Sequence, residues 1–270
     1  MMDFAHLLGQ NLAISTSLFV MLWLINLVTR DPSFVDSWWA LGMVVSACAT
    51  FLYVGHTGDH AIALTALCSV WGLRLGFYLL WRWRKHGPDR RYTTMMASAQ
   101  KERGWGYARA SLLLVFALQL PLQFIVSLPV QLGQMGDRGM LFPAPLGPAA
   151  WLGVAVAVAG ILFESIGDSQ LVAFKADPAN AGKVLQSGLW RYTRHPNYFG
   201  DACVWWGLWL IAADAGLGLW SMVGPILITV LLTRWSGVPT VEGRMRRKRP
   251  EYEAYIQRTS GFIPMPPKKA

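Results

Sequence analysis

Long apolar runs, separated by short polar segments, dominate the pattern of the chain. A helix needs about 20 mostly apolar residues to cross the hydrocarbon core of a bilayer. Seven runs approach or reach that length, at residues 11–29, 35–54, 61–80, 110–130, 149–174, 199–213 and 216–233. The sixth is the shortest and relies on Trp205, Trp206 and Trp209. The pattern predicts an all-α, polytopic membrane helix bundle with about seven transmembrane helices.

The distribution of basic residues predicts the orientation of this bundle. If seven helices alternate, 22 of the 24 Lys and Arg residues lie on one side of the membrane. The other side carries only Arg138, and Arg74 lies inside the third run. Because cytoplasmic loops are enriched in Lys and Arg, we expect the N-terminus outside and the C-terminus in the cytoplasm. Residues 1–270 are then one integral membrane domain, with 236–270 as a basic cytoplasmic tail.

Composition agrees with a membrane protein. The chain is 54% hydrophobic and 14% charged, whereas a soluble domain carries about 25% charged residues. Its net charge of +9 sits in short clusters between apolar runs, which favours membrane lipid as a partner and not nucleic acid. Cys48, Cys68 and Cys203 lie within apolar runs without CxxC spacing, so neither a disulfide framework nor a metal site is expected. No basic segment precedes the first run, which we therefore expect to be a retained helix rather than a signal peptide.

Several polar residues fall where lipid makes them costly, and such residues are candidates for function. Arg74 is the clearest case, although snorkelling or a structural pairing with a carboxylate would also explain it. Asp36 opens the second run and could act simply as a helix N-terminal charge. Glu164 and Asp168 are four residues apart and therefore share one helical face. Gln119 and Gln123 have the same spacing, for which we expect helix–helix hydrogen bonds.

The densest polar cluster is GLWRYTRHPNYFGD, at residues 188–201. Arginine binds phosphate groups through two parallel hydrogen bonds. Pro196 favours a helix start, and the free N–H groups of a helix N-terminus attract anions. A basic interfacial loop that faces anionic lipid is the simpler alternative. The candidate residues of this segment are Arg191, Arg194, His195, Asn197, Tyr198 and Asp201.

The segment RYTRHPNYFGD, followed by a helix and by the tail RPEYEAYIQRTSGFIP, resembles the steroid 5-alpha-reductase superfamily. The chain is most similar to the uncharacterised bacterial branch, which FVDSWWALG, WGLRLGFYLLWR, GPDRRY and FESIGDSQLVAFK also resemble. The resemblance implies a seven-helix bundle in the bacterial inner membrane that binds NADPH from the cytoplasmic side. It further implies reduction of an activated carbon–carbon double bond in a lipophilic small molecule, such as a steroid or polyprenol.

The resemblance also implies roles for individual residues. Characterised steroid reductases use a Glu on the second helix and a Tyr on the third to polarise the substrate carbonyl; here Trp71 takes the Tyr position and no such Glu is found. Asp36, with Tyr78 or Tyr53, is the candidate replacement. The expected catalytic residues are Asp36, Arg74 and Tyr78, and the expected cofactor-binding residues are Glu164, Asp168, Lys175, Arg191, Arg194, His195, Asn197, Tyr198, Asp201, Tyr252 and Tyr255.

Two other functions stay open at the level of sequence. Isoprenylcysteine carboxyl methyltransferases and related phospholipid methyltransferases share an Arg-His-Pro-x-Tyr segment and bind S-adenosylmethionine, for which Glu242, Tyr252 and Tyr255 could serve. A non-catalytic lipid-binding protein or a transporter is the third possibility, although transporters bind substrate near the midplane. Neither GxGxxG nor GxxxxGK[ST] occurs, so a soluble nucleotide-binding fold is not expected. The sequence specifies neither the substrate nor the oligomeric state.

Overall fold

The fold is a bundle of α-helices. A computed structural model describes residues 4–55, 58–136 and 144–268, so Arg138 lies outside the described residues. The α-helices are α1 (Phe4–Thr29), α2 (Val35–Val54), α3 (Asp59–His86), α4 (Arg90–Arg103), α5 (Tyr107–Ser111), α6 (Ala117–Val126), α7 (Leu128–Leu132), α8 (Pro148–Ala176), α9 (Pro196–Asp214), α10 (Val223–Val230), α11 (Val238–Lys248) and α12 (Glu251–Arg258). Within the described ranges there is no strand, and one isolated β-bridge joins Thr193 to Ser260.

Six helices are long and apolar enough to cross a membrane, which makes the chain a multi-pass membrane protein. They are Phe4–Thr29, Val35–Val54, Asp59–His86, Tyr107–Val126, Pro148–Ala176 and Gly218–Lys248. The predicted run 199–213 is also helical, as α9, but it does not belong to these six. Its polar first turn and its two Asp residues lower its hydropathy, and α9 buries much of its length against other helices. A helix enclosed by protein does not need a continuous apolar surface.

The predicted cytoplasmic loop between runs three and four is mostly helical. α3 continues six residues past the predicted end at Leu80 and stops at Gly87, whose φ of 73° suits glycine. α4 was not predicted, because its sequence is polar and amphipathic. Asp89 caps α4 by accepting a hydrogen bond from the backbone N–H of Arg91, and Gly104, with φ 64°, ends it.

The predicted outer loop 131–148 also begins inside the bundle. α7 and a 3₁₀ turn occupy its start, and Gln131 and Gln134 are buried. The amide of Asn11 on α1 donates to Thr50 on α2 at 2.8 Å and to Gln131 at 3.0 Å. Gln134 donates to the carbonyl of Ala47 at 3.0 Å. These hydrogen bonds join α1, α2 and α7 at a depth where water is not the partner.

α8 and α9 pack antiparallel along glycines that recur every seven residues. A Cβ at Gly160 would lie 2.6 Å from the carbonyl oxygen of Gly200, and one at Gly153 would lie 2.6 Å from that of Gly207. Gly167 approaches the ring of Pro196 in the same way. Small residues let two helix backbones approach closely in a membrane. This contact places the polar ends of α8 and α9 against each other.

The predicted basic tail is folded as far as it is described, to residue 268. α11 and α12 pack back onto the segment before α9, where the Tyr255 hydroxyl donates to the carbonyl of Trp190 at 2.5 Å. The chain then returns alongside residues 192–194, with Met265 N–H donating to the carbonyl of Tyr192 and the Thr193 hydroxyl to that of Phe262. The tail is thus packed against the bundle at the end where α9 begins, rather than being an appendage.

Candidate functional site

Arg74 lies at the centre of a buried charged cluster between α3 and α8. Its guanidinium contacts the carboxylate of Glu164 at 2.5 Å and that of Asp168 at 2.7 Å. The two acids are one turn apart on α8, so a single planar guanidinium reaches both. Glu164 and Asp168 are 3% and 6% exposed. The structure therefore brings together three of the predicted site residues.

Trp71 contacts the same Glu164 oxygen as Arg74 does. It lies one turn before Arg74 on α3, and its indole N–H donates to Glu164 Oε2 at 3.0 Å. The Trp71 ring also packs edge-on against Trp205 of α9, with ring centroids 5.3 Å apart. Trp71 therefore helps to position the Glu164 carboxylate between α3 and α8.

α9 completes the cluster with Asn197 and Asp201. The Asn197 amide donates to Asp168 Oδ1 at 3.2 Å. Asp201 is close enough to Glu164 for their charges to interact, and its buried Oδ1 has no hydrogen-bond partner among the described residues. Two carboxylates thus pair with one guanidinium, and a third carboxylate, that of Asp201, lies nearby. Buried Nε of Arg74 also lacks a hydrogen-bond partner in the described part of the chain.

A groove of about 390 Å³ opens beside this cluster, between α3 and α8. Its walls are Arg74, Tyr78, Trp81, Ser165, Asp168, Ser169, Val172 and Ala173. Tyr78 lies one turn after Arg74, and the charges of Asp168, Arg82 and Arg74 act on its hydroxyl. The groove therefore has a charged end at Arg74 and Asp168 and an apolar wall on α8.

Basic residues gather near the predicted cytoplasmic ends of α3, α8 and α11. The charges of Arg82, Arg244 and Arg249 all act on the ammonium of Lys175. Nη1 of Arg249 is buried and has no hydrogen-bond partner among the described residues. Asp168 is the one carboxylate among the charges that act on Lys175, and an excess of like charges held close together favours an anionic ligand. We call Arg82, Lys175, Arg244 and Arg249 the basic mouth.

Arg194 and His195, in contrast, are occupied by the folded tail. Arg194 donates to Glu242 at 2.7 Å and to the carbonyl of Thr259 at 2.5 Å. His195 lies 3.2 Å from the same Glu242 oxygen and stacks on Tyr198, with ring centroids 5.3 Å apart. These contacts connect the predicted Arg-His-Pro turn to α11 and the C-terminal segment.

The other predicted residues of this region differ in exposure. Arg191 is exposed, whereas Tyr252 and Tyr255 are buried against each other in α12. Burial raises the pKa of Tyr252 far above its ordinary value, and the charge of Glu242 adds to the rise. Both tyrosine hydroxyls therefore stay protonated, and the Tyr255 hydroxyl donates a hydrogen bond to the Trp190 carbonyl.

Asp36 lies in a separate cluster and pairs with neither Tyr78 nor Tyr53. Its carboxylate accepts from the Tyr92 hydroxyl at 2.5 Å and from Arg91 at 2.8 Å. Burial raises the pKa of Tyr92 well above its ordinary value, and the charge of Asp36 raises it further. Tyr92 therefore remains a protonated donor. The charges of Arg91 and Asp36 also act on Tyr198 of α9.

Sequence reasoning missed the contact of Trp71 with Glu164, the role of Tyr92, and three of the four residues of the basic mouth, Arg82, Arg244 and Arg249; Lys175 was predicted. Trp71 could have been found from its spacing of three residues before Arg74, which puts both side chains on one face of α3. Tyr92 and Arg82 lie in a segment that was predicted as loop, so no helical face was available to relate them to Asp36 or Tyr78. The expected Gln hydrogen bonds are confirmed: Gln123 donates to the carbonyls of Trp38 and Trp39, and Gln119 to the Tyr92 hydroxyl.

The fold and the site define a multi-pass helical membrane protein with a charged cluster buried among its helices. The chain belongs to DUF1295, a family of proteins of unknown function, whose model matches residues 22–259. No curated protein and no solved structure matches the chain.

Proposed function

We propose that the chain is a membrane-embedded, NADPH-dependent reductase of an activated carbon–carbon double bond in a lipophilic substrate. The observation that carries this proposal is the Arg74 cluster, from which a groove between α3 and α8 runs toward the basic mouth. A second support is that DUF1295 is a steroid 5-alpha-reductase-like family. A lipid substrate would reach the cluster through the groove, and a phosphorylated cofactor would reach it from the basic mouth.

The residues fit NADPH in both charge and hydrogen-bonding capacity. Ribose hydroxyls and a carboxamide need acceptors, which Asp168 and the unpartnered Oδ1 of Asp201 provide. Phosphates need cations that are not already in ion pairs, and within the described ranges Lys175, Arg244 and the unpartnered Nη1 of Arg249 form none. Glu164, Asp168, Asn197 and Asp201 would hold the nicotinamide–ribose end, and the basic mouth the phosphates. Arg194 and His195 would support the site by fixing the tail.

When bound, NADPH supplies the hydride of the reduction. The chain must then stabilise negative charge on the substrate oxygen that is conjugated to the double bond. Tyr78 lines the groove, and its hydroxyl is the donor we propose for that oxygen. Arg74, held by Glu164 and Asp168, adds a fixed positive charge beside it. Loss of one such donor costs about 10²–10³ in rate.

We further propose that α9 crosses the membrane as a seventh span, with the N-terminus outside and the C-terminus in the cytoplasm of a bacterial inner membrane. α9 runs antiparallel to α8 over most of its length, and α8 is among the six spans. An alkaline phosphatase and a green fluorescent protein fused in turn to the C-terminus test this arrangement. Fluorescence without phosphatase activity supports the cytoplasmic C-terminus, and phosphatase activity would contradict the arrangement.

The methyltransferase alternative would use Glu242, Tyr252 and Tyr255 for S-adenosylmethionine. The Glu242 carboxylate already contacts Arg194 and His195, which leaves the reductase as the better supported function. A non-catalytic lipid-binding protein would need neither the basic mouth nor three carboxylates close to Arg74.

Copurifying molecules separate these three functions. The full chain is purified in mild detergent, its bound small molecules are identified by mass spectrometry, and NADPH is titrated by fluorescence. Bound NADP(H), or saturable NADPH binding, supports the reductase. Bound S-adenosylmethionine, or no NADPH binding at any concentration tested, would exclude it.

A further inference from the structure

Three arginines gather around two aromatic rings where α1, α4 and α5 meet. The guanidinium of Arg109 lies 4.7 Å and that of Arg103 lies 5.0 Å from the centre of the Trp105 ring. Arg30 lies 4.8 Å from the centre of the Tyr107 ring. We call these five residues the Trp105 cluster. It is separate from the Arg74 cluster and uses none of the residues of the proposed reductase.

The position of the Trp105 cluster at the ends of two spans indicates how deep it lies in the bilayer. Arg30 directly follows the span Phe4–Thr29, and Arg109 lies in the first turn of the span Tyr107–Val126. Both spans therefore leave the hydrocarbon at this cluster. Trp and Tyr rings prefer this level of a bilayer, and basic side chains there face the lipid headgroups.

The three guanidiniums are available to bind an anion. Within the described ranges none of them forms an ion pair, and all three side chains are exposed. The carboxylate that acts on Tyr107 is Asp31, whose oxygens accept from Ser33 and from the Trp83 indole at 2.7 Å. Glu102, next to Arg103, is exposed and pairs with none of the three.

One further feature of the cluster is an unpaired buried donor beside it. Asn26 is fully buried and accepts the Tyr107 hydroxyl at 2.6 Å, yet its Nδ2 has no hydrogen-bond partner among the described residues. Arg30 has a φ of 56° because it lies at the end of α1, a position at which helices commonly adopt the left-handed conformation, and its N–H donates to the Asn26 carbonyl at 2.9 Å. This helix end holds the Arg30 side chain over the Tyr107 ring.

We propose that the Trp105 cluster binds the headgroup phosphate of an anionic phospholipid. The planar guanidiniums of Arg103 and Arg109, held on the Trp105 ring, would each offer a pair of parallel N–H groups to phosphate oxygens. Arg30 would contact the same headgroup from the end of α1. The lipid would bridge α1, α4 and α5, elements that otherwise meet here through the Tyr107–Asn26 bond and the hydrogen bond from the Trp23 indole to the Ala108 carbonyl.

Thermal unfolding of the full chain in neutral detergent tests the site with three probes: dioctanoyl phosphatidylglycerol, dioctanoyl phosphatidylcholine and inorganic phosphate. Ligand that binds only the folded state raises Tm by mass action. We expect phosphatidylglycerol to raise the Tm of the wild type by about 2–4 °C, the shift that a modest gain in the free energy of unfolding produces in a domain of this size. The other two probes should have little effect.

The double variant Arg103→Gln, Arg109→Gln should bind phosphatidylglycerol at least about tenfold more weakly, because two charge-assisted contacts are lost. Arg247→Gln, Lys248→Gln on α11 removes the same charge from an exposed surface elsewhere and should keep the full Tm shift. If the double variant does not fold, each single variant gives the same comparison. An equal shift in the Arg103/Arg109 and Arg247/Lys248 variants would overturn the proposal. So would an equal effect of phosphatidylcholine or of inorganic phosphate.

Discussion

Arg74 and Asp168 are joined by a hydrogen bond of 2.7 Å, although 94 residues separate them in the chain. This bond fixes α3 against α8 and orients the carboxylate that also accepts from Asn197 of α9. The packing of α3, α8 and α9 against one another therefore depends on the Arg74 guanidinium. The same contact places a fixed positive charge beside the groove, so the stability of the bundle and the proposed chemistry share one residue.

Removing this guanidinium should destabilise the protein strongly. Arg74→Gln leaves Glu164, Asp168 and Asp201 without a cation, and breaking a buried ion pair costs about 3–5 kcal/mol. The measurement is thermal unfolding in detergent, with Arg247→Gln, an exposed arginine of α11, as the control. A Tm equal to that of the control would show that Arg74 is not the cation on which the cluster depends.

Two acids of the cluster should respond in opposite ways. Asp201→Asn removes a carboxylate whose Oδ1 has no partner among the described residues, so unfolding should occur at the same or a higher temperature. Glu164→Gln keeps one amide oxygen as an acceptor but removes the negative charge that pairs with Arg74, and should cost about 1–3 kcal/mol. The reverse order of the two Tm values would contradict the proposed arrangement of charges.

Close packing of α8 on α9 is testable at Gly160. In Gly160→Ala the new Cβ would meet the Gly200 carbonyl at 2.6 Å, so we expect a loss of about 1–3 kcal/mol. Gly9→Ala is the matched control, because no atom lies within 4 Å of a Cβ at that helical position. Since alanine is the better helix former, this control should be neutral or stabilising by up to about 1 kcal/mol. Similar Tm values for the two variants would argue against the tight contact.

Arg194 should control the folding of the tail. Arg194→Ala removes hydrogen bonds to Glu242, Ile256 and Thr259, so chymotrypsin should cleave within residues 236–268 faster. We expect at least about a tenfold increase, which corresponds to about 1.4 kcal/mol of local stability. Arg191→Ala, at an exposed position, should leave the cleavage rate unchanged. Equal cleavage of both variants would mean that Arg194 is free for another role.

The sequence predicted helix boundaries correctly where an apolar run was bounded by residues that interrupt helices, such as proline and glycine. α2 spans 35–54 in both the prediction and the structure, because Pro32 precedes it and Gly55 follows it. α4 and the folded tail were missed, since their sequences are polar and the contacts that order them are distant in the chain. The same limit applies to the site. Spacing predicted that Glu164 and Asp168 share a face, but no local pattern pairs them with Arg74.

The central claim is that this cluster binds the nicotinamide–ribose end of NADPH. Thermal unfolding of the wild type and of Asp168→Asn, each alone, with NADPH and with S-adenosylmethionine, tests it most directly. Asp168→Asn keeps the size of the side chain and one acceptor for Arg74 but replaces the other acceptor with a donor. Glu251→Gln, an exposed acid on α12, is the control.

We expect NADPH to stabilise the wild type and the control, by about 2.7 kcal/mol at a concentration 100-fold above Kd. Asp168→Asn should lose about 1–3 kcal/mol of NADPH binding energy, the scale for a mismatched buried polar group, and its Tm without ligand should fall because Arg74 loses a paired carboxylate. Equal stabilisation of the wild type and Asp168→Asn by NADPH, or stabilisation by S-adenosylmethionine alone, would contradict the claim.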